Sequence, residues 1–227
     1  MKAERILLLG GTREAVALAA KLVAQGHDVT TSLAGRTKEP REVEGKLRIG
    51  GFGGPEGLAH WITENRITRL IDATHPFAEQ ISRHAAMAAQ TTGILFEQHQ
   101  RPPWDAVDGD NWRIVPDLNT AAESLRPGST VLLALGSQHI SAFSNRDDVR
   151  FIIRMIDPPA APLPFADHEL MLARPSAKAE EEAAFLRSKN VDTIICRNSG
   201  GKGAYAKIEA ARMLRVPVVM IARPTSS

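Results

Sequence analysis

From Arg5 to Leu9 the chain is nearly all apolar, stops at Gly10-Gly11-Thr12, and resumes with Ala15, Leu18, Ala19 and Leu22 at helical spacing. A short apolar run closed by glycine is the pattern of a strand buried on both faces. The period after it predicts a helix over 13–24, with Gly26 as its C′ residue. The same alternation recurs. Further strands are predicted over 28–33, 47–49, 69–73, 94–98, 112–115, 130–134, 151–156, 169–173, 193–196 and 217–221. Helices are predicted over 55–65, 78–92, 118–125, 178–189 and 204–214. Short strands alternating with helices specify an α/β fold built on parallel sheet. Arg126-Pro127-Gly128-Ser129 reads as a linker, after which a strand and a glycine turn, Leu135-Gly136-Ser137-Gln138, begin the pattern again. The expected architecture is two Rossmann-like parallel-sheet domains with a cleft between them. The first covers residues 1–126 and the second, smaller one 127–227.

The bulk numbers narrow the partners. Of 227 residues 43% are hydrophobic and 24% charged, which suits a globular enzyme. A formal charge of only +2 argues against a nucleic-acid partner, while a pI near 8.9 suits anionic small molecules. The single cysteine, Cys196, sits in an apolar strand and is expected to be a buried thiol in a reducing compartment. No apolar run reaches membrane-spanning length and no leader pattern opens the chain, so a cytoplasmic protein without a membrane partner is expected.

The chemistry lies at the strand ends. Gly10 fits the first position of the dinucleotide fingerprint, with Thr12 and Ala15 where its other two glycines would stand. Such a turn brings a helix N-terminus to a phosphate, or simply closes a βα unit tightly. The end of the second strand, where a Rossmann fold meets the adenosine ribose, offers Ser32 and Arg36 and no carboxylate. That fits a 2′-phosphate as well as an ordinary loop arginine. Gly50-Gly51-Phe52-Gly53-Gly54-Pro55 has too many glycines to serve packing and points to close ligand approach. Asp72, Thr74 and His75 end another strand, where His75 either donates to a ligand or satisfies the backbone before Pro76.

Arg101-Pro102-Pro103-Trp104 reads as a rigid, exposed turn, and Glu180-Glu181-Glu182 as a solvated first turn of helix. Arg197-Asn198-Ser199-Gly200-Gly201-Lys202-Gly203 is a second glycine loop at a strand end, followed by Tyr205 and Lys207. No metal-ligand spacing, nucleophile elbow or Walker lysine is present. Tyr205 and Lys207 lack the Tyr-x-x-x-Lys spacing of a short-chain reductase. Anion-binding glycine loops and scattered arginines remain, which suits a nucleotide cofactor and a carboxylate-rich substrate.

In order along the chain stand Gly10-Gly11-Thr12-x-Glu14, Leu33-Ala34-Gly35-Arg36, Gly50-Gly51-Phe52-Gly53-Gly54 and Asp72-Ala73-Thr74-His75-Pro76-Phe77-Ala78. Asn198-Ser199-Gly200-Gly201, Tyr205-Ala206-Lys207, Val216-Pro217-Val218 and Arg223-Pro224 follow. This ordered set resembles the precorrin-6A reductase family of cobalamin biosynthesis, whose anaerobic counterparts are the cobalt-precorrin-6A reductases. The resemblance implies NADPH-dependent reduction of the macrocycle to precorrin-6B, with hydride to carbon 19 and a proton to carbon 18. It implies a cofactor site of Gly10, Gly11, Thr12, Arg13, Glu14, Ser32, Arg36, Gly51, Gly53, Gly54, Thr74 and His75.

It also implies a polycarboxylate tetrapyrrole held by Arg101, Ser137, Arg154, Arg174, Asn198, Ser199, Gly200, Gly201, Tyr205 and Lys207. Ser199, Tyr205 and His75 are candidate acids beside solvent, and no metal is expected. Neighbouring corrin-pathway enzymes are candidate partners. Two departures from the family pattern stand out: Arg197 occupies a position that is often lysine, and Ala173-Arg174-Pro175-Ser176-Ala177 replaces Ala-Arg-Gly-Pro-Phe. The alternative is a non-catalytic dinucleotide sensor, which would use the first glycine loop and Arg36 but give no reason for the Asn198–Gly201 loop.

Overall fold

A computed structural model describes residues 3–35, 42–159 and 161–224. Arg36 lies outside the described residues. The chain forms two compact units, Met1–Arg101 and Pro102–Ser227.

The first unit contains β1 (Arg5–Leu9), α1 (Arg13–Ala24), β2 (Asp28–Leu33), β3 (Lys46–Ile49), α2 (Pro55–Glu64), β4 (Arg69–Asp72), α3 (Glu79–Thr92) and β5 (Leu95–Gln98). Its five strands are parallel, in the order β3-β2-β1-β4-β5. The unbroken apolar run of β1 is explained by its two covered faces. Leu7 and Leu9, with Leu70, pack against Leu58, Ile62, Ala85 and Ala88 of α2 and α3. Ile6 and Leu8, with Ile71, pack against Ala15, Ala19 and Leu22 of α1. Each buried Leu or Ile side chain among these stabilises the unit by roughly 1.5–3 kcal/mol.

The second unit contains β6 (Trp112–Val115), α4 (Leu118–Glu123), β7 (Thr130–Ala134), a 3-10 helix (Ser137–Phe143), β8 (Arg150–Met155) and β9 (His168–Leu172). It continues with α5 (Ala179–Ser188), β10 (Thr193–Arg197), α6 (Ala206–Leu214) and β11 (Val218–Ile221). Six parallel strands run in the order β6-β11-β10-β7-β8-β9. Cys196 is 1% exposed, its sulfur 3.7 Å from Met220 Sδ, and burial pushes its thiol pKa up.

Two expectations are corrected here. The units divide after Arg101 rather than after Arg126, because β6 pairs along its length with β11, from Trp112 with Val218 to Val115 with Ile221. The second unit therefore has the larger sheet. Arg126–Ser129 is a turn inside it: Gly128 N donates to Asp148 O and Ser129 Oγ to Arg126 O, both at 2.7 Å. The 3-10 helix carries no clear period in the sequence, yet it buries Ile140 and Phe143, with Phe143 edge-on to Phe151.

Candidate functional site

In each unit the order of strands reverses once. In the first, the chain winds outward from β1 through β2 to β3, then crosses to the other side of β1 with β4 and β5. In the second, it winds from β7 through β8 to β9 and returns beside β7 with β10. Open parallel sheets bind ligands at the carboxyl ends of strands flanking such a reversal. Gly10-Gly11 and Thr74-His75 follow β1 and β4, while Gly136-Ser137 and Asn198 to Gly201 follow β7 and β10. The polar and glycine-rich segments singled out from the sequence thus stand at both switch points.

At the first switch point, Gly10 N donates to Ser32 O, and a Cβ on Gly10 would lie 3.0 Å from Thr31 Cγ2. Gly11 has φ 110° with open space where a Cβ would stand. The Thr12 hydroxyl both accepts from and donates to the protein. It caps α1 by accepting from Ala15 N, and it donates to Ala73 O, both at 3.0 Å. The N–H groups of Arg13 and Glu14, in the first turn of α1, have no partner inside the helix. Arg13 is exposed, whereas Glu14 accepts from Arg101 Nη1 at 2.7 Å. Arg101, expected at the substrate, is therefore tied to a residue expected at the cofactor. Asp72 is buried, and its Oδ1 accepts from both the N–H and the hydroxyl of Thr74. His75 Nδ1 accepts from Phe77 N at 3.3 Å, which puts the proton of the neutral ring on Nε2.

The glycine loop after β3 is held by a residue the sequence did not mark. Arg48 donates from Nη1 to Gly50 O (2.6 Å) and from Nη2 to Gly51 O (2.7 Å), and its guanidinium stacks 3.8 Å from the centre of the Phe52 ring. Nη1 also reaches Ser32 Oγ at 3.5 Å. Because C=O and N–H are anti across a trans peptide, drawing these two carbonyls to Arg48 turns the N–H groups of Gly51 and Phe52 away from it. Gly53 and Gly54 have φ of 79° and 103°, and Gly54 leads into α2 with Pro55 at its start. Gly57 in the first turns of α2 was also missed. A Cβ there would sit 1.8 Å from Phe52 O, so only glycine lets the loop rest on the helix. Its signal was available, since glycine inside a helix costs about 1 kcal/mol relative to alanine and needs a packing reason.

In the second unit, the loop after β10 is built on Trp104. Asn198 accepts from Trp104 N (2.7 Å) and donates to Trp104 O (2.9 Å), while the indole N–H donates to Gly201 O (2.8 Å). Trp104 is 9% exposed, which corrects the expectation of an exposed turn. Gly200 has φ 68°, and a Cβ on it would lie 2.0 Å from Pro102 O. Arg223 donates to Asn198 O and Ser199 O, the same two-carbonyl clamp that Arg48 applies in the first unit. Asn198 and Gly200 thus shape the loop from within. Tyr205 packs on Trp104, and its hydroxyl accepts from Arg212 at 2.9 Å; Arg212 is held by Asp110, which raises its pKa. Lys207 is buried, donates to Ala204 O and lies over the Trp104 ring.

The remaining expected substrate residues separate by burial. Ser137 is exposed at the start of the 3-10 helix, and Arg174 is exposed after β9. Ser199 is half-buried. Arg154 is committed elsewhere. Its fork meets both oxygens of Glu182 at 2.9 and 2.8 Å, with the two side chains only 7% and 3% exposed. Glu182 also accepts from Ser176 N, so the acidic turn of α5 is solvated only in part. Among the described residues no three His, Cys, Asp or Glu side chains group to hold a metal, and no helix is long and apolar enough to cross a membrane.

Comparisons with known proteins agree over nearly the whole chain. The model of the family described as precorrin-6x reductase CbiJ/CobK matches residues 5–227. The chain is 42% identical over 221 residues to the precorrin-6A reductase of Rhodobacter capsulatus, covering 97% of this chain and 88% of that one. It is 44% identical over 225 residues to the precorrin-6A reductase of a Sinorhizobium species, covering 98% and 86%. The cobalt-precorrin-6A reductase of Priestia megaterium is more distant, at 29% over 232 residues, covering 96% and 90%. A solved structure of a CobK precorrin-6A reductase superposes with a TM-score of 0.95 at 41% identity, covering 99% of this chain and 90% of that one.

Proposed function

The chain belongs to the precorrin-6x reductase family, and from that premise we propose that it reduces the precorrin-6A macrocycle to precorrin-6B at the expense of NADPH. Its activity as a precorrin-6A reductase, an oxidoreductase of cobalamin biosynthesis, rests on the family match over residues 5–227. That match is the observation that carries the reading. It leaves no support for a non-catalytic sensor.

The residues of the first unit fit a dinucleotide. The open space at Gly11 and the N–H groups of Arg13 and Glu14, which have no partner inside the helix, suit a pyrophosphate, and exposed Arg13 adds a cation. Gly51, Gly53 and Gly54 bring backbone close to a ligand without side chains in the way, and Thr74 and His75 stand at the end of β4, on the other side of the switch point from Ser32. When bound, NADPH supplies the hydride for carbon 19, so the protein need only position and exclude.

In the second unit, the Asn198 to Gly201 loop is preset by Trp104 and Arg223, so it presents Ser199 and the peptide groups at little further entropic cost. Arg174 has no acidic partner among the described residues and suits a substrate carboxylate. Tyr205 accepts from Arg212 and keeps its own O–H to donate, which makes it, beside solvent, a source for the proton at carbon 18.

The test is anaerobic incubation of the protein with precorrin-6A and NADPH deuterated at C4, followed by mass spectrometry and NMR of the product. One deuterium at carbon 19 supports the reading. Absence of precorrin-dependent NADPH oxidation by folded protein overturns it.

A further inference from the structure

Among the described residues of the first unit three arginines are half-buried. Arg69 lies against Glu4 and Glu97, and Arg101 against Glu14. Arg48 meets no carboxylate of the described residues. Its neighbours are two carbonyls, a hydroxyl and the Phe52 ring, and burial without a counter-charge holds its pKa below the usual arginine value. Two of its five N–H groups, Nε–H and one on Nη2, are used by none of these bonds. The stacked, doubly anchored guanidinium is rigid and already partly stripped of water. An anion arriving there would supply the missing charge with little entropic loss.

The position gives the anion's identity. Ser32 and Arg48 are register partners at the carboxyl ends of β2 and β3. That is where the adenosine ribose of a dinucleotide meets this kind of sheet, and where an arginine accommodates a 2′-phosphate. We propose that Arg48, with Ser32 beside it, forms the 2′-phosphate subsite and selects NADPH over NADH. The inference rests on the reading that the first unit holds a dinucleotide. It names Arg48 in place of Arg36 as the residue that discriminates.

Fluorescence titrations with NADPH and NADH on the full chain, wild type against Arg48→Gln, Arg48→Lys and Arg36→Ala, test it. Arg48→Gln is expected to weaken NADPH about tenfold or more beyond whatever loss NADH shares through the loosened loop, the worth of one charge-assisted contact. Arg48→Lys keeps the charge but loses the fork, so part of the preference goes. Equal weakening of both dinucleotides by Arg48→Gln would mean a loop clamp only and would overturn the proposal. So would a preference that survives Arg48→Gln and vanishes in Arg36→Ala. If Arg48→Gln does not fold, Arg48→Lys decides, an unchanged preference counting against the subsite. Wild-type protein that binds neither dinucleotide sinks the underlying reading instead.

Discussion

Arg101 donates to Glu14 across 2.7 Å, joining the end of the first unit to the first turn of α1. A carboxylate in that turn favours the helix dipole but opposes an incoming phosphate. Arg101 cancels its charge. Arg101→Ala is therefore expected to weaken NADPH by about 1 kcal/mol, roughly fivefold in Kd, through the exposed charge of Glu14. The double variant Arg101→Ala with Glu14→Gln is expected to recover most of that loss. A double-mutant cycle by titration checks it; additive losses would mean that the two residues act separately.

Gly57→Ala would stabilise an ordinary helix. Here the new methyl meets Phe52 O at 1.8 Å, so the loop or the helix must move. Overpacking of this kind costs about 1–3 kcal/mol, more than the gain in helix propensity. A lower urea midpoint together with weaker NADPH binding is the expected outcome. An equal or higher midpoint contradicts the close approach of loop and helix.

Arg154 and Glu182 form a buried bidentate pair, and removing one partner strands the other charge. Glu182→Gln is expected to lower stability by about 3–5 kcal/mol, measured by denaturant unfolding. KM for the macrocycle should remain unchanged at temperatures where the variant is folded. A large rise in KM without loss of stability would return Arg154 to the substrate.

Acid should destabilise the protein in a defined direction. Hydrogen bonds from Arg146 hold the Asp148 carboxyl below the usual carboxylate range, and Lys189 does the same for Glu169. A depressed folded pKa means that the unfolded chain takes up protons first. The stability is therefore present above the ordinary carboxylate pKa, about 4, and is lost as pH falls through the lower folded values. Thermal midpoints should be flat from about pH 7 to 5 and fall below about pH 4. Asp148→Asn should start lower at neutral pH and converge with wild type in acid; parallel curves would refute its share.

Much of this molecule could be read locally. The limits of β1, α1 and β2 coincide with the sequence pattern, because period and glycine stops are properties of neighbouring residues. The glycine loops after β1, β3 and β10 were visible for the same reason. Arg154 and Arg174 looked alike in sequence, and only burial separates a structural arginine from an exposed one. Arg48 carried no signal, since nothing in a single arginine on an edge strand says which carbonyls it will reach.

The chain by itself determined the order of strands and α-helices, the parallel α/β class and the glycine turns at strand ends. Those depend on side-chain period and on the steric freedom of glycine, which act over a few residues. Tertiary structure alone decided that β6 joins β11 and so moves the boundary between the units, and that Gly57 must stay small under Phe52. It also decided which arginines are neutralised and which keep a charge to offer. Such outcomes depend on groups far apart in the chain meeting where water is excluded, and short-range pattern holds no record of that meeting.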